Sequence, residues 1–240
     1  MGVTLAILVY NETENLINLL PLVIKNLEKI TSDYEILIVD CDKSIDNTKE
    51  VCEKFGAKYV VQETPYYVGA YKTAIKFAQK ENFIVMDADF SHSPEFIPSI
   101  YNAFVDNNAD VVIGSRYVDG GKTNDESQNI LYSKFLNFVY QNLFGLKGIN
   151  DISSGFKMYK TEILKNINFM SRYFEVQLEI LVKAKIQNQN LKVVEVPIHF
   201  RNREKGTSKR NYFTFLPYFC WLFAKLLIYK SCNKFFDKHK

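Results

Sequence analysis

The chain has 240 residues, 47% hydrophobic and 24% charged, a composition that excludes a disordered or low-complexity protein and suits one large domain. Its 30 Lys and Arg residues against 27 Asp and Glu residues leave a net charge of only +3, which does not indicate a nucleic-acid partner. Positive charge gathers in residues 201–210 and 230–240, a pattern that could meet phosphates or an anionic membrane surface; by charge alone, a solvated loop and tail is the favoured interpretation.

The first half of the chain alternates strand-like and helix-like segments. Continuous apolar runs predict buried strands, and apolar residues at helical spacing predict helices between them. The predicted strands are 3–10, 34–40, 57–62, 82–87 and 109–115, and the predicted helices are 14–30, 46–55, 70–80 and 94–106. This alternation predicts an α/β fold with a mostly parallel central sheet flanked by helices.

The second half is less regular. It predicts a helix at 128–146, a polar turn followed by a short strand within 151–160, and an amphipathic helix at 173–185. A further strand is predicted at 191–200, where Pro197 indicates the edge of a sheet.

Acidic side chains gather where the predicted strands end. Asp87 and Asp89 directly follow an apolar strand, and Glu12 and Asp42 follow two others. Because ligands bind beyond the carboxyl ends of parallel strands, and because clustered carboxylates need a cation, this pattern indicates a Mg²⁺ or Mn²⁺ site. The alternative is that Asp87 caps a turn and that Asp89 or Ser91 caps helix 94–106.

Seven ordered motifs resemble family 2 glycosyltransferases of the GT-A fold, and among them dolichyl-phosphate or polyprenyl-phosphate mannosyl- and glucosyltransferases. The resemblance covers residues 3 to about 210. In chain order the motifs are LVYNETENL, IVDCDKSIDNT, MDADFSHSPE, IGSRYVDGG, DISSGFKMYK, FEVQLEILVKA and EVPIHFRNREKGTSK.

The resemblance implies a role for individual residues. Nucleotide-sugar contacts are implied for Tyr10, Glu12, Val39, Asp42, Asp87, Ala88 and Lys209. Metal ligation is implied for Asp87, Asp89 and Ser91, with Asp89 favoured as the direct ligand. Catalytic roles are implied for Asp89, Arg116 and Arg203, with Arg203 and Lys209 in a loop that closes over phosphates. Acceptor-site roles are implied for Asp151, Gln177 and Glu179.

Three of these assignments have alternatives. Asp151 lines the sugar or acceptor site or caps a turn, and Glu179 faces the acceptor or is an exposed helix charge. Aligning the second motif backwards from its later residues places Cys41 at the family's first Asp position. Aligning it forwards from the strand places Asp40 there; we favour the backward alignment.

The expected reaction is metal-dependent, inverting transfer of a mannose or glucose from a GDP-mannose-type or UDP-glucose-type donor to a polyprenyl or dolichyl phosphate. The first alternative is a GT-A enzyme that uses a UDP-sugar and a different glycan or lipid acceptor. The second is a non-catalytic nucleotide-sugar-binding relative, which Cys41 and Lys43 favour. A dehydrogenase-like dinucleotide fold is disfavoured because no G-x-G-x-x-G follows the first strand.

The C-terminal segment is expected to lie on a membrane. We divide the chain into a catalytic domain, 1–210, and an amphipathic, aromatic-rich helix with a basic tail, 211–240. Pro217 and Lys225 favour an interfacial helix over a spanning one; a buried helix that completes the core is the alternative.

The expected location is therefore cytoplasmic, peripheral on the cytosolic face of a membrane, with firm anchoring left to a partner subunit. The four cysteines form no C-x-x-C pair and are expected to be reduced. We read His92 and His199 as structural, because neither has a partner at metal-ligand spacing.

Overall fold

The computed structural model describes residues 1–42, 46–201 and 212–237, with side chains of the last helix described from 217 to 233. The strands of this part of the chain are β1 Val3–Leu8, β2 Tyr34–Asp40, β3 Lys58–Val61, β4 Asn82–Asp87, β5 Val111–Ser115, β6 Lys122–Thr123, β7 Lys157–Lys160, β8 Val193–Pro197 and β9 His199–Phe200. Its helices are α1 Thr13–Leu27, α2 Thr48–Lys54, α3 Tyr66–Phe77, α4 Ile97–Asp106, α5 Ser127–Phe144, α6 Thr161–Lys165, α7 Val176–Gln187 and α8 Tyr212–Asp237.

The central sheet has the strand order β3-β2-β1-β4-β7-β5-β8. Every neighbouring pair is parallel except those of β7, which runs antiparallel to both β4 and β5. The predicted α/β architecture is confirmed, and β8 lies at the edge as Pro197 indicated. The insertion of β7 between two strands of opposite direction was not predicted.

Helices cover both faces of the sheet, so the strands are apolar on both sides. On one face the sheet packs against apolar side chains of α1, α2 and α4, among them Leu16, Val51 and Phe104. On the other it packs against α3, α5, α7 and α8, among them Tyr71, Tyr140, Leu181 and Leu226.

Several predicted elements differ from the structure at their ends. Helix α3 begins at Tyr66 rather than residue 70, and the predicted strand 191–200 is two strands interrupted at Ile198. Ile198 donates its N–H to Ser115 of β5, and β9 then pairs with β6 in a separate sheet. The chain therefore bends at Pro197 instead of continuing along the edge of the main sheet.

The sequence pattern predicts an amphipathic helix at 173–185. The structure shows instead that helix α7 is buried on nearly all sides. Its charged residues Glu179 and Lys183 are both buried and pair at 2.7 Å. The reading of Glu179 as an exposed helix charge is wrong: its carboxylate accepts the backbone N–H groups of Met170 and Ser171, at 2.7 and 2.8 Å. It thereby holds the turn that precedes α7.

Helix α8 packs on the core along one face. Leu222 and Leu226 are fully buried, while Trp221 and Ile228 on the other face are 47% and 60% exposed. The alternative interpretation, a helix that completes the core, is therefore met along this face, and the interfacial position on a membrane stays a prediction. Among the described residues, no helix combines the length and apolarity that crossing a membrane requires.

Candidate active site

The carboxyl ends of β1, β2 and β4 lie side by side. Leu8 pairs with Val39 on one side and with Asp87 on the other, so the residues that follow these strands meet at one edge of the sheet. Tyr10 and Asp42 are exposed at this edge. Buried Asp40 instead accepts hydrogen bonds from the Cys41 N–H and the Tyr59 hydroxyl, which leaves Asp42 as the exposed acid of the second motif.

Polar contacts at this edge join the starts of α1 and α2. Asp46 accepts the N–H of Thr13 at 3.2 Å, the N–H of Thr48 at 3.3 Å and the Thr48 hydroxyl at 2.7 Å. Glu12 accepts a hydrogen bond from the Asn15 amide at 2.6 Å. The loops proposed to meet the nucleotide are therefore fastened to each other.

Two of the implied nucleotide contacts are restricted by burial. The side chains of Val39 and Ala88 are buried, at 0% and 3% exposure. Only their main-chain groups could meet a ligand. The carbonyl of Val39 already accepts the N–H of Val9.

The D-x-D loop follows β4 directly. Asp89 accepts both the N–H and the hydroxyl of Ser91, at 3.1 and 2.6 Å, through the same oxygen, Oδ1. Phe90 between them has φ of +62°, a left-handed conformation that is costly for an aromatic residue and recurs at functional turns. Asp89 and Ser91 do not cap α4, since neither that helix nor the short 3-10 turn before it has a side-chain cap hydrogen bond.

His92 contacts the same loop through a buried side chain. It is 1% exposed, packs against the rings of Phe156 and Phe200, and accepts the N–H of Asp87 through Nδ1 at 3.1 Å. These contacts support the structural interpretation of His92, which stays a prediction because its ring also lines the cleft described below. A Cβ at Gly155 would come within 3.1 Å of this ring and 3.7 Å of the Asp87 carboxylate, so glycine allows the 151–156 loop to approach the D-x-D.

Arg116 lies in a buried cluster rather than free at a strand end. Its Nε and Nη2 donate to Asp151 at 2.8 Å each, its own N–H donates to Asp151 at 2.9 Å, and its Nη1 donates to Asp125 at 3.2 Å. Nη2 also donates to Ser133 and Ser153, at 3.2 and 3.1 Å. Phosphate positioning by Arg116 would therefore act from within a network of internal carboxylates.

The charges of this pair stabilise each other. Burial favours the neutral acid, but the attraction of Arg116 outweighs it and lowers the pKa of Asp151. Burial likewise opposes the guanidinium, but Asp151 holds the pKa of Arg116 above its ordinary value. Asp151 is fully buried and is paired with Arg116. It therefore neither acts only as a turn cap nor lies exposed to an acceptor.

Lys157 is a buried cation that the sequence reading did not single out. It lies on β7 opposite Val85 and Ile113, has no exposed surface, and donates to the carbonyl of Ile152 at 2.8 Å and to that of Gln177 at 3.1 Å. Burial lowers the pKa of Lys157 to about 7. In the sequence, the sign of a buried cation was a lysine that stands between the apolar residues Phe156 and Met158.

These groups meet in one cleft at the carboxyl edge of the sheet, hereafter the strand-end cleft. Its polar lining residues are Asp87, His92, Arg116, Ser133, Ser153, Ser154 and Gln177. Its apolar and aromatic lining residues are Tyr67, Leu136, Phe174, Leu178, Phe200 and Phe219. Glu179 and Asp151 do not line it, and Arg203 and Lys209 lie outside the described residues, as does Lys43. The cleft thus combines charged and apolar side chains.

Asp87 and Asp89 could hold a divalent cation only together with oxygen atoms of a bound ligand. Across residues 1–42, 46–201 and 212–237, no three His, Cys, Asp or Glu side chains cluster so that they could hold a metal ion. Mg²⁺ in phosphate-transfer sites is typically held by one or two carboxylates together with substrate phosphates. Asp87 and Asp89 match that donor set.

Comparison with known proteins shows the family to which the chain belongs. The sequence model of a family described as Glycosyl transferase family 2 matches residues 4–167. The chain is 37% identical over 216 residues to the dolichol-phosphate mannosyltransferase of Pyrococcus furiosus, covering 87% of this chain and 59% of that protein. It is 34% identical over 214 residues to the polyprenol monophosphomannose synthase of Mycolicibacterium smegmatis, covering 83% of this chain and 77% of that protein.

Solved structures share the fold at low sequence identity. Glucosyl-3-phosphoglycerate synthase from Mycobacterium tuberculosis, crystallised with Mn²⁺, uridine diphosphate and phosphoglyceric acid, superimposes with a TM-score of 0.69. The match covers 95% of this chain and 78% of that one at 14% identity. A structure of the same synthase with Mg²⁺ and uridine diphosphate gives the same TM-score.

Proposed function

Since the chain belongs to glycosyl transferase family 2, we propose that it transfers a hexose from a nucleoside diphosphate sugar to a polyprenyl or dolichyl phosphate. The observation that carries this proposal is the mixed lining of the strand-end cleft, which brings the charged side chains of Asp87 and Arg116 together with apolar ones such as Leu136 and Phe219. A phosphate joined to a long hydrocarbon needs both environments. The names of the two sequence relatives support the same acceptor class.

The donor is proposed to be of the GDP-mannose or UDP-glucose type and to bind along the ends of β1, β2 and β4. Exposed Tyr10 and Asp42 would meet the base or ribose, and Glu12 would supply a further carboxylate. When bound at Asp87 and Asp89, a Mg²⁺ or Mn²⁺ ion would offset negative charge on the leaving diphosphate. The metal-bound crystal structures of the fold relative support use of such an ion in this fold.

The chain's own residues would position the reactants. Ser91 donates its N–H and its hydroxyl to Asp89 Oδ1, which fixes the orientation of the carboxylate that would contact the metal. An acceptor phosphate is already anionic near neutral pH, because its second pKa is about 6, so no strong general base is required. Arg116 would then hold the cleft wall through Ser133 and Ser153, while Asp151 and Asp125 offset its charge.

Membrane association is the second part of the proposal. Leu131, Phe135 and Phe138 of α5 are 69%, 62% and 64% exposed and recur at the spacing of one helix face. Exposed Trp221 and Ile228 add to them from α8. Large exposed apolar groups near lysines suit the interfacial region of a bilayer, and a membrane-anchoring partner subunit remains a prediction.

Both helices also reach the strand-end cleft, through Leu136 of α5 and Phe219 of α8. Each would therefore present one face to the bilayer and another to the acceptor chain. The hydrocarbon chain of a lipid phosphate could follow this path from the bilayer into the cleft and stay in apolar surroundings.

The proposal is tested by incubating the protein with labelled GDP-mannose or UDP-glucose, Mn²⁺ and a polyprenyl phosphate, and measuring sugar transfer to the lipid. Asp89→Asn keeps an oxygen that can accept from Ser91 but removes the charge, so it should abolish metal-dependent nucleotide binding while the fold persists. Asp106→Asn, at an exposed acid ending α4, is the matched control. Transfer to a soluble glycan and not to the lipid would contradict the acceptor assignment.

A further inference from the structure

Buried Lys157 lies directly behind a residue of the strand-end cleft. Its ammonium group donates to three acceptors: the Ile152 carbonyl, the Gln177 carbonyl and the Gln177 side-chain oxygen, at 2.8, 3.1 and 3.4 Å. Gln177 itself lines the cleft and is 3% exposed. Lys157 is therefore the link between the β7 core and the cleft wall on α7.

The lysine determines which way the Gln177 amide faces. In its protonated form Lys157 has three N–H groups to donate and cannot accept, so the amide oxygen is then the atom turned towards it. The amide nitrogen then faces away from it. That nitrogen is buried and has no hydrogen-bond partner, an arrangement that costs stability unless a ligand supplies an acceptor.

One internal group competes for the amide. Burial raises the pKa of Tyr71, but its hydroxyl lies near enough to Gln177 that a hydrogen bond from the amide acts, to a lesser extent, to lower it. By distance and angle, however, neither the hydroxyl nor the amide nitrogen has a hydrogen-bond partner, so Tyr71 is at most a weak internal acceptor for the amide. A group entering the cleft would be the missing acceptor.

The surroundings indicate the kind of ligand. The hydroxyl groups of Ser133 and Ser153 and the positively charged guanidinium of Arg116 line the same cleft, together with the carboxylate of Asp87. Next to Gln177 on α7, Leu178 lines the apolar part. Phosphate oxygens attached to a hydrocarbon chain match this arrangement.

We propose that Lys157 is a positioning residue that holds the Gln177 amide so that its N–H groups bind an oxygen of the acceptor phosphate. This inference rests on the proposed function, since it assumes that the acceptor is a lipid phosphate. Lys157 itself touches no ligand. It acts through Gln177.

The test is a double-mutant cycle in which binding of farnesyl phosphate, a short polyprenyl phosphate, is measured by calorimetry. Lys157→Met and Gln177→Met should each raise the Kd about tenfold. Because one residue acts through the other, the double variant should also be about tenfold weaker, not a hundredfold. Lys157→Met keeps a similar side-chain volume but leaves three acceptors without their donor, so its folding is checked by circular dichroism before binding is measured.

Two matched variants complete the design. Lys160→Met makes the same change on the same strand, where Lys160 pairs with Asp110 away from the cleft, and Tyr71→Phe removes the competing hydroxyl. Both should leave the Kd within about twofold of the wild type. Weakening by Tyr71→Phe equal to that by Gln177→Met would show that the amide belongs to an internal network and overturn the proposal.

The remaining outcomes are separable. An unchanged Kd in Gln177→Met, or additive effects of the two variants, would overturn the role of Lys157 while leaving the acceptor class in place. Absence of farnesyl phosphate binding by the folded wild-type protein would instead overturn the proposed function, and the inference with it. The Gln177→Met result decides the amide's role even if Lys157→Met does not fold.

Discussion

Removing the charge of Asp151 should destabilise the protein far more than removing that of its neighbour Asp125. Asp151 is fully buried and accepts the main-chain N–H, Nε and Nη2 of Arg116. Asp151→Asn preserves shape but leaves a buried guanidinium with one acceptor fewer and an amide N–H group facing it. The variant tests whether this pair anchors the 151–156 loop.

The expected magnitude follows from burial. Breaking a buried ion pair by removing one partner costs about 3–5 kcal/mol, and retained contacts to Asp125 place Asp151→Asn near 3. Asp125 makes one contact to Arg116, at 3.2 Å, and its side chain is 15% exposed, so Asp125→Asn should cost about 1 kcal/mol. For a chain of this length, 3 kcal/mol corresponds to a fall in Tm of roughly 6–12 °C.

The measurement is urea unfolding of both variants at several pH values. The pKa of Asp151 is lowered in the folded state, so its stabilising effect is complete above its unfolded pKa of about 4 and is lost as the pH falls through the folded value. The difference between wild type and Asp151→Asn should thus be constant from pH 5 to 7 and shrink below pH 4. Equal costs for the two variants, or a difference independent of acid, would refute the reasoning.

Three further predictions concern charge and membrane contact. The pKa of Lys157 is lowered to about 7, so between pH 7 and 10 the unfolded chain binds more protons than the folded protein. Over this range the unfolding free energy of the wild type should rise relative to that of Lys157→Met by at most about 1.4 kcal/mol per pH unit. A difference between the two proteins that does not change with pH would contradict the burial of Lys157. Arg203→Ala should lower turnover at saturating donor at least tenfold, whereas Arg201→Ala, which loses only an exposed pair, should not; equal effects would leave Arg203 without a special role. Phe138→Ser should weaken flotation with anionic liposomes, and Val105→Ser, an exposed apolar control on α4, should leave it unchanged; no difference between them would exclude α5 as the contact.

Local pattern was sufficient for the parts of the fold that depend on neighbours in sequence. Alternating apolar strands and helices indicated the parallel sheet, and Pro197 indicated an edge. The carboxylates at Asp87 and Asp89 were found because parallel strands end at the same side of a sheet. The motif order also identified the family that the comparison with known sequences shows.

Tertiary structure alone decided how charges are used inside the protein. Arg116 and Asp151 are 35 residues apart in sequence and meet because β7 inserts antiparallel between β4 and β5, a pairing that no local period encodes. The same insertion buries Lys157 beneath α7, and the packing of α7 on all sides turns Glu179 from an apparent surface charge into a core carboxylate. Sequence periodicity reports which face of an element is apolar. Whether a charge on it is solvated or paired depends on what packs against that face, and that is set by contacts between distant segments.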